Sequence, residues 1–325
     1  MKALPGILEA LFNYLNFMVL LKSASAETIR AYRSDLLQAF QLKQSALPSV
    51  EEFFHASKHL RLRQTAFGHE DELLTICRSA MKTWADLAPA TRNRKAATLK
   101  SFLGWLHQEG MIQRDLAAQV HSPKVPIRLP HFLSVDEIQA LLASLRTDLD
   151  AGQLPKEELR EAEKKLLLVL LLYGGGLRIS EACSLEWASV SADARVLRIT
   201  GKGKKERIAA LPPMVAIALL RYRKLLSTHD TRFVFGETAL STRIGYEMVR
   251  KAGQRAGLLK PLHPHALRHS FATHLLTSGA NLRSLQELLG HESLQATSRY
   301  THLGIDQLAR TLEDFHPLGP KTFKA

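Results

Sequence analysis

Three prolines lie between His121 and His131 and interrupt an otherwise helical sequence pattern. Proline lacks a backbone donor and disfavours helical backbone in the residue before it, so this segment favours extended backbone. A chain of 325 residues is also too long for one ordinary hydrophobic core. The sequence therefore predicts two domains joined by an extended linker, with the boundaries 1–122, 123–132 and 133–325.

Apolar residues in the first part recur at the spacing of helices that bury one face. This holds for residues 27–40 and 91–109, and Gly110 is typical of a helix end. We expect a small helical domain whose basic side chains lie on the outer faces. Such faces are usually only solvated, and contact with phosphates is the alternative that charge alone leaves open. The basic residues concerned are Arg30, Arg33, Arg92, Arg94, Lys95 and Lys100.

The overall charge indicates a polyanionic partner. Lys and Arg number 44 against 31 for Asp and Glu, which gives a formal net charge of +13 and a sequence pI near 9.8. Nucleic acid is the partner that this balance favours most, although a charge that only aids solubility gives the same numbers.

Neither membrane insertion nor a disulfide framework is indicated. Residues 8–19 show helical apolar spacing broken by polar residues, which favours an amphipathic helix over a secretory signal. The longest apolar run, Leu166 to Tyr173, has eight residues and cannot span a bilayer. Cys77 and Cys183 are far apart and outside metal-ligand spacing. We expect a protein of the reducing cytoplasm without a metal site.

The second part combines helices with one hairpin. Ser134 and Glu137 form a capping-box pattern that starts a helix. The glycines 174–176 lack the Lys-Ser or Lys-Thr of a phosphate-binding loop, so a sharp turn is the better interpretation. Two β-type runs, Val196 to Thr200 and Arg207 to Leu211, predict a hairpin around a Gly- and Lys-rich tip. That tip carries Lys202, Lys204 and Lys205.

A group of cations and one phenol near the end of the chain suits phosphoryl transfer. His265 and Arg268 lie one helical turn apart, and His291 precedes a helix that carries Tyr300. Cleaving a phosphodiester without a metal requires a nucleophile, cationic donors and an acid for the leaving oxygen. Zinc is disfavoured, because the residues between His265 and His269 lack the glutamate of His-Glu-x-x-His. On the residues alone, Tyr300 is as readily a core or rim residue of an amphipathic helix.

Five ordered motifs give residues 133–312 a resemblance to the tyrosine recombinase (phage integrase-like) family. They are Leu177-Arg178-Ile-Ser-Glu181, Thr200-Gly-Lys202-Gly, His265-Ala-Leu-Arg268-His269, Leu289-Gly290-His291 and Tyr300-Thr-His302. The first part, with Thr28, Tyr32 and Asp35-Leu36, is similar to the core-binding domain of the bacterial Xer branch. The resemblance implies a mainly α fold, the DNA breaking-rejoining fold. An N-terminal helical, SAM-like core-binding domain would precede an α-rich catalytic domain with a small antiparallel β-sheet.

The resemblance also implies how the scissile phosphate is held. Arg178 and Arg268 would clamp it, because their planar forks suit phosphate oxygens. His291 would add a hydrogen bond to the same oxygens, and Glu181 would orient the cluster. Further DNA contacts are implied along the linker and the hairpin, at Lys124, Arg128, Lys204 and Lys205.

The remaining residues are implied to carry the chemistry. Lys202 would protonate the leaving 5′ oxygen, and His265 would assist proton transfer to or from Tyr300. Tyr300 would form a 3′-phosphotyrosyl intermediate, which conserves the bond energy so that religation requires no cofactor.

The biological expectation follows from the same resemblance. It implies a metal- and ATP-independent, site-specific DNA recombinase that acts as a tetramer on two duplex sites through a Holliday junction. The Xer likeness implies resolution of chromosome or plasmid dimers at cell division, alone or with a second Xer recombinase, and control by an FtsK-type DNA translocase. It further implies that the terminal helix, with apolar residues from Ile305 to Phe315, docks in trans on a neighbouring subunit.

Three alternatives remain open. A mobile-element integrase would share the chemistry and differ in its DNA target. A type IB topoisomerase-like enzyme would nick and swivel DNA as a monomer, which the apolar terminal stripe argues against. A non-catalytic DNA-binding regulator is disfavoured, because every position of the family's catalytic set is occupied.

Overall fold

The computed structural model describes residues 4–22, 24–56, 69–123, 132–150, 154–200, 206–226, 231–281, 285, 288 and 302–319. The chain forms two compact units, Met1–Arg128 and Leu129–Ala325, and each has its own hydrophobic core. Over these ranges, no helix is both long enough and apolar enough to cross a membrane.

The first unit is helical, as the sequence predicts. Its helices α1 to α5 span Ile7–Leu20, Ala26–Ala39, Val50–Ala56, Glu70–Thr83 and Pro89–Gln108. α2 begins after Ser25, whose Oγ accepts a hydrogen bond from the Thr28 backbone N–H at 3.3 Å. Tyr14 lies at the centre of the core, with its ring 5.3 Å from that of Phe102 and 5.5 Å from that of Trp105.

One buried carboxylate ties α2 to α5. Asp35 is 1% exposed and accepts hydrogen bonds from Arg94, from Lys95 Nζ at 2.9 Å and from Thr98 Oγ1 at 3.0 Å. Lys95 Nζ also lies 4.4 Å from the centre of the Trp84 ring. The prediction that Lys95 lies on the outer face is therefore wrong, since this side chain is buried. The ammonium turns inward because the Asp35 carboxylate needs a buried cation.

We expect Asp35→Ala to lower the free energy of unfolding of the first unit by about 3–5 kcal/mol, because the buried Lys95 ammonium loses its carboxylate. Denaturant unfolding measures this change. Asp71→Ala is the matched control: the Asp71 side chain is 88% exposed and pairs with Arg114, so its removal should change stability by about 0.5 kcal/mol at most. A similar small loss for Asp35→Ala would show that the buried pair contributes little.

The second unit is organised around one buried helix. Its elements are α6 (Val135–Asp150), α7 (Lys156–Tyr173), α8 (Ile179–Cys183), β1 (Val196–Thr200), β2 (Glu206–Ala210), α9 (Pro213–Leu225), α10 (Thr242–Arg255), α11 (Pro264–Thr277) and α12 (His302–Phe315). Every residue from Leu166 to Tyr173 is at most 2% exposed, because α6, α9, α10 and α11 all pack against α7. The predicted buried helix is confirmed.

The predicted hairpin and capping box are also confirmed. β1 and β2 form an antiparallel pair in which Val196 faces Ala210 and Thr200 faces Glu206. Residues 201–205 between the strands lie outside the described residues. At the start of α6, the Ser134 N–H donates to Glu137 Oε2 at 2.8 Å, and the Glu137 N–H donates to Ser134 Oγ at 3.1 Å.

The terminal helix α12 packs on the core of its own unit. α12 lies against β2 and α11, and its residues Leu308 and Leu312 are at most 2% exposed. Glu313 accepts a hydrogen bond from Arg195. From Leu308 onward, the apolar face of α12 therefore packs on the core of its own chain. Docking of this helix on a neighbouring subunit stays a prediction, and it would require the stripe to leave these contacts.

His316 follows α12 and is completely buried. Its Nδ1 accepts a hydrogen bond from the Leu318 N–H at 3.0 Å, and its Nε2 lies 3.3 Å from the Tyr173 carbonyl oxygen. These partners fit a neutral ring with its proton on Nε2. Burial lowers the pKa of His316 to about 3, and the hydrogen bond to Tyr173 opposes this shift only in part.

Acid should therefore destabilise the second unit through His316. The unfolded chain takes up a proton near pH 6.5, whereas the folded ring stays neutral to about pH 3. The contribution of neutral His316 to the free energy of unfolding is thus fully present above about pH 6.5. It declines as the pH falls, and about 2 kcal/mol of it is lost at pH 5. Denaturant unfolding at pH 5 and 7.5 measures the free energy of unfolding at each pH. The difference between the two values should be smaller in His316→Gln than in the wild type. Equal pH effects would contradict this assignment.

Candidate active site

A tight turn after α7 sets the geometry of the site. Gly176 has φ +60°, and a Cβ atom on it would lie 2.6 Å from the Phe271 ring, so glycine alone fits. The Gly176 carbonyl oxygen accepts a hydrogen bond from Arg268 Nη1. Two residues later, Arg178 is the N-cap residue of α8. The turn thereby links Arg178 and Arg268, the two residues that the family resemblance assigns to the same phosphate.

Glu181 lies at the centre of the cluster. Its carboxylate accepts hydrogen bonds from the Arg178 backbone N–H at 2.7 Å and from Arg178 Nη1 at 2.9 Å. Arg268 Nη1 lies 3.8 Å from Glu181 Oε2. Burial acts to raise the pKa of Glu181, but the hydrogen bonds and charge of Arg207, followed by the hydrogen bonds of Arg178, outweigh burial and lower it below its usual range. Glu181 is therefore an anion held among arginines.

Arg207 belongs to this cluster, although none of the sequence motifs indicated it. Its Nη1 donates to Glu181 Oε1 at 2.8 Å, and its Nη2 donates to Oε2 at 3.0 Å. Its side chain is 8% exposed. Along β2, Arg207 and Ala209 are buried on the inward side. A charged residue at an inward strand position is the signal that could have found it, because a buried charge needs a partner.

The two predicted clamp residues differ in exposure. The Arg178 side chain is 48% exposed and that of Arg268 is 9% exposed. Burial is the main cause that lowers the pKa of Arg268 to about 10, and the charge of Arg178 adds to it. Arg268 nevertheless stays protonated at neutral pH. Three guanidinium groups around one carboxylate leave a surplus of positive charge, which suits an anionic phosphate.

The histidines of α11 occupy two kinds of environment. His265 is exposed in the first turn of the helix, one turn before Arg268. His269 is partly buried, with its ring 6.0 Å from that of Phe132, and burial followed by the charge of His265 lowers its pKa. His274 Nδ1 lies 2.9 Å from the buried Tyr173 hydroxyl oxygen. His269 and His274 thus take part in packing, whereas His265 is accessible.

Several predicted residues lie outside the described residues, and their roles stay predictions. They are Lys124 and Arg128 of the linker, Lys202, Lys204 and Lys205 of the hairpin tip, His291 and Tyr300. Within the described part of the chain, the structure brings together Arg178, Glu181 and Arg268 of the predicted site.

The basic residues predicted to contact DNA from the first unit also differ in environment. Arg33 donates hydrogen bonds to backbone carbonyl oxygens of residues 44, 47 and 48, so it holds the loop after α2. The side chains of Arg30 and Arg94 are 59% and 45% exposed. Arg92 and Lys100 are half-buried. Arg30 and Arg94 have the exposure that a phosphate contact needs.

Known proteins resemble this chain in sequence. The model of the phage integrase family matches residues 131–305. The tyrosine recombinase XerC of Thermodesulfovibrio yellowstonii is 33% identical over 317 residues, 94% of this chain and 95% of that protein. XerC of Xanthomonas axonopodis pv. citri is 31% identical over 309 residues, again 94% of this chain and 95% of that protein.

Solved structures share the fold. The XerH site-specific recombinase bound to its difH substrate has a TM-score of 0.60 at 19% identity, over 91% of this chain and 93% of that one. A lambda integrase tetramer bound to a Holliday junction has a TM-score of 0.59 at 16% identity, over 91% and 80%. These similarities confirm the predicted fold. Since the family match covers more than half of the chain and the XerC relatives align over nearly all of it, the protein belongs to the phage integrase family of tyrosine recombinases.

Proposed function

We propose that this protein is a site-specific recombinase that cuts and rejoins duplex DNA through a covalent tyrosyl intermediate. The observation that carries the proposal is the arginine cluster on Glu181, in which Arg178 and Arg268 are held beside one carboxylate. Negative charge builds on the phosphate oxygens during phosphoryl transfer, so preset guanidinium donors stabilise the transition state. The names of the XerC relatives support the same reaction class.

In this mechanism Arg178 and Arg268 bind the non-bridging oxygens of the scissile phosphate. His291 donates a further hydrogen bond to them. Glu181 keeps both arginines oriented before DNA arrives, so little reorganisation is needed at the moment of reaction. Because the arginines supply the positive charge, the reaction as proposed requires no metal ion.

The covalent step exchanges one phosphoester bond for another. The Tyr300 hydroxyl oxygen attacks phosphorus and forms a 3′-phosphotyrosyl bond while the bond to the 5′ oxygen breaks. His265 accepts the phenol proton, and Lys202 gives a proton to the leaving oxygen. In the reverse step the 5′ hydroxyl of another strand attacks phosphorus and releases the phenol. The bond energy is conserved, so ATP is not required.

The assembly is also part of the proposal. We assign residues 1–122 to a core-binding domain and residues 133–325 to a catalytic domain, joined by the linker 123–132, and both domains contact duplex DNA. The basic residues assigned to the DNA backbone are Arg30, Arg92, Arg94, Lys100, Lys124, Arg128, Lys204 and Lys205. Four subunits would act on two sites. A solved lambda integrase tetramer on a Holliday junction, which shares this fold, supports that arrangement.

The biological role that we propose is resolution of chromosome or plasmid dimers in the cytoplasm. Near full-length similarity to XerC proteins supports this role over mobile-element integration. A second Xer recombinase and an FtsK-type translocase are the partners that this role calls for.

Mapping of covalent protein–DNA linkages tests the proposed function. The purified protein is incubated with host genomic DNA, linkages are trapped with denaturant, and the joined ends are sequenced. We expect one strong site near the replication terminus, and exchange between two copies of that site on a plasmid in the presence of EDTA and without ATP. A site beside the encoding gene within a mobile element would favour an integrase instead. If no position is enriched over a Tyr300→Phe control, the proposed function is wrong.

A further inference from the structure

We propose that Arg207 is a positioning residue for the phosphate-binding arginines, acting through both oxygens of the Glu181 carboxylate. This inference rests on the proposed function, because that function assigns Arg178 and Arg268 to the scissile phosphate. Arg207 does not match any of the five family motifs in this sequence and was found from its contacts alone.

The contacts divide the Glu181 carboxylate between the arginines. Oε1 accepts from Arg178 Nη1 at 2.9 Å and from Arg207 Nη1 at 2.8 Å. Oε2 accepts from the Arg178 backbone N–H at 2.7 Å and from Arg207 Nη2 at 3.0 Å, and Arg268 Nη1 lies 3.8 Å away. Arg207 is the arginine whose fork bonds both oxygens with side-chain donors. It therefore fixes the plane of the carboxylate against which the other two arginines are held.

The bonding of its fork makes Arg207 a positioning group and not a further clamp. Arg207 and Arg268 are equally buried, with side chains 8% and 9% exposed. Both Nη atoms of Arg207 donate to Glu181, whereas Arg268 Nη1 lies 3.8 Å from that carboxylate. The Arg207–Glu181 pair joins β2 to α8, and Arg207 Nε lies 3.5 Å from the Leu288 carbonyl oxygen. Arg207 thus contacts Glu181, which holds Arg178, and it also contacts Leu288, which lies three residues before His291 in the sequence.

A second arginine fork on a buried glutamate in the same unit provides a control. Arg221 Nε lies 2.6 Å from Glu163 Oε1, and Arg221 Nη2 donates to Oε2 at 2.9 Å. The Glu163 side chain is 4% exposed, close to the 6% of Glu181. The Arg221 side chain is 49% exposed, so the match lies in the buried carboxylate and the two fork contacts. Arg221→Gln breaks this fork between α9 and α7 without touching the arginine cluster.

The test measures the single-turnover rate of covalent adduct formation on a nicked duplex that carries the mapped cleavage site, at saturating DNA. We expect Arg207→Gln to slow the rate by about 10²-fold while the Kd for DNA changes by less than about threefold, because misplaced donors stabilise the transition state poorly. Arg207→Lys keeps the charge but loses the fork and should slow the rate by about tenfold. Arg221→Gln should react at the wild-type rate.

The pH profile separates positioning from a general loss of structure. In Arg207→Gln, Arg178 and Arg268 are the charged groups of the described residues that still face Glu181, and burial then acts to raise the pKa of Glu181. As the pH is lowered from about 8 to 5, the rate of adduct formation by Arg207→Gln should therefore fall more steeply than that of the wild type. In the double variant Glu181→Gln/Arg207→Gln this extra pH dependence should disappear. The losses of rate caused by the two single substitutions should not add in the double variant, since Arg207 acts through Glu181.

The outcomes are distinct. If the wild type forms an adduct and Arg207→Gln forms it at the same rate, the inference is wrong while the proposed function stands. The inference is also wrong if Arg207→Gln and Arg221→Gln lose the same fraction of the rate of adduct formation and have the same pH profile. Should Arg207→Gln fail to fold, Arg207→Lys decides, and a wild-type rate with a wild-type pH profile rejects the inference. If the wild type forms no adduct, the proposed function itself fails.

Discussion

Tyr300→Phe is expected to abolish the covalent protein–DNA adduct while leaving DNA affinity within about threefold of the wild type. The substitution removes one hydroxyl oxygen, which is the atom assigned to attack phosphorus, and leaves the arginine cluster unchanged. A missing nucleophile typically lowers a rate by roughly 10⁴-fold or more. Denaturing gels of the protein with labelled DNA measure the adduct, and gel retardation measures the affinity.

Tyr222→Phe is the matched control for this experiment. Tyr222 is a buried tyrosine of the same unit, 2% exposed in the face of α9 that packs on the core. Its ring remains as phenylalanine, so adduct formation should stay at the wild-type level. Adduct formation by Tyr300→Phe in wild-type amounts would mean that another residue is the nucleophile.

Arg268→Ala should slow adduct formation by about 10³-fold, because it removes one preset donor from the phosphate site. Arg268 is protonated and buried, and its Nη1 is hydrogen-bonded to Gly176, so it is already oriented before DNA binds. Its pKa of about 10 also means that lowering the pH from 8 to 6 does not change its charge. Arg268→Lys should recover only part of the rate, since an ammonium lacks the fork.

The control for Arg268 is an exposed arginine of the same unit. The Arg232 side chain is 70% exposed and pairs with Glu186 on the surface. Arg232→Ala should react like the wild type, since such surface pairs contribute about 1 kcal/mol or less. Thermal unfolding of each variant checks that it is folded at the assay temperature. If folded Arg268→Ala reacts within about threefold of the wild type, Arg268 is not part of the clamp.

The parts of the fold that were predictable from the sequence depend on local spacing. The capping box of α6 needs only Ser134 and Glu137, three residues apart, and the hairpin needs two short β-type runs around a glycine-rich tip. Arg178 and Glu181 are also three residues apart, but their roles were predicted from the family resemblance and not from this spacing. Physical rules for such short separations are strong, and these elements were found.

The parts that could not be predicted depend on distant partners. Arg207 meets Glu181 across 26 residues, and Lys95 meets Asp35 across 60 residues. Helical periodicity placed Lys95 with its basic neighbours on the outer face, because nothing in the local pattern shows that a buried carboxylate of α2 lies opposite. The burial of His316 could not be predicted for the same reason, because its partner Tyr173 lies 143 residues away in the sequence.

Arg33 shows a further limit of charge patterns. Its guanidinium holds backbone carbonyl oxygens of the loop after α2, a structural role that is compatible with the same sequence spacing as a phosphate contact. A basic residue on a helix therefore predicts an available cation only where no nearby loop offers carbonyl oxygens. Arg30 is the better first target for measuring DNA contacts in this unit, because its side chain is 59% exposed and pairs with the exposed Glu51, whereas Arg94 already bonds the buried Asp35.

The most direct test of the central claim is the chemical identity of the protein–DNA linkage. The wild-type protein is incubated with a duplex that carries the mapped site and a nick beside the scissile phosphate, so that the cleaved end diffuses away and the intermediate accumulates. After nuclease and protease digestion, mass spectrometry identifies the modified peptide. The account predicts a nucleotide joined through its 3′ phosphate to Tyr300, formed in the presence of EDTA and without ATP. No adduct, or a linkage to another residue or through a 5′ phosphate, would contradict it.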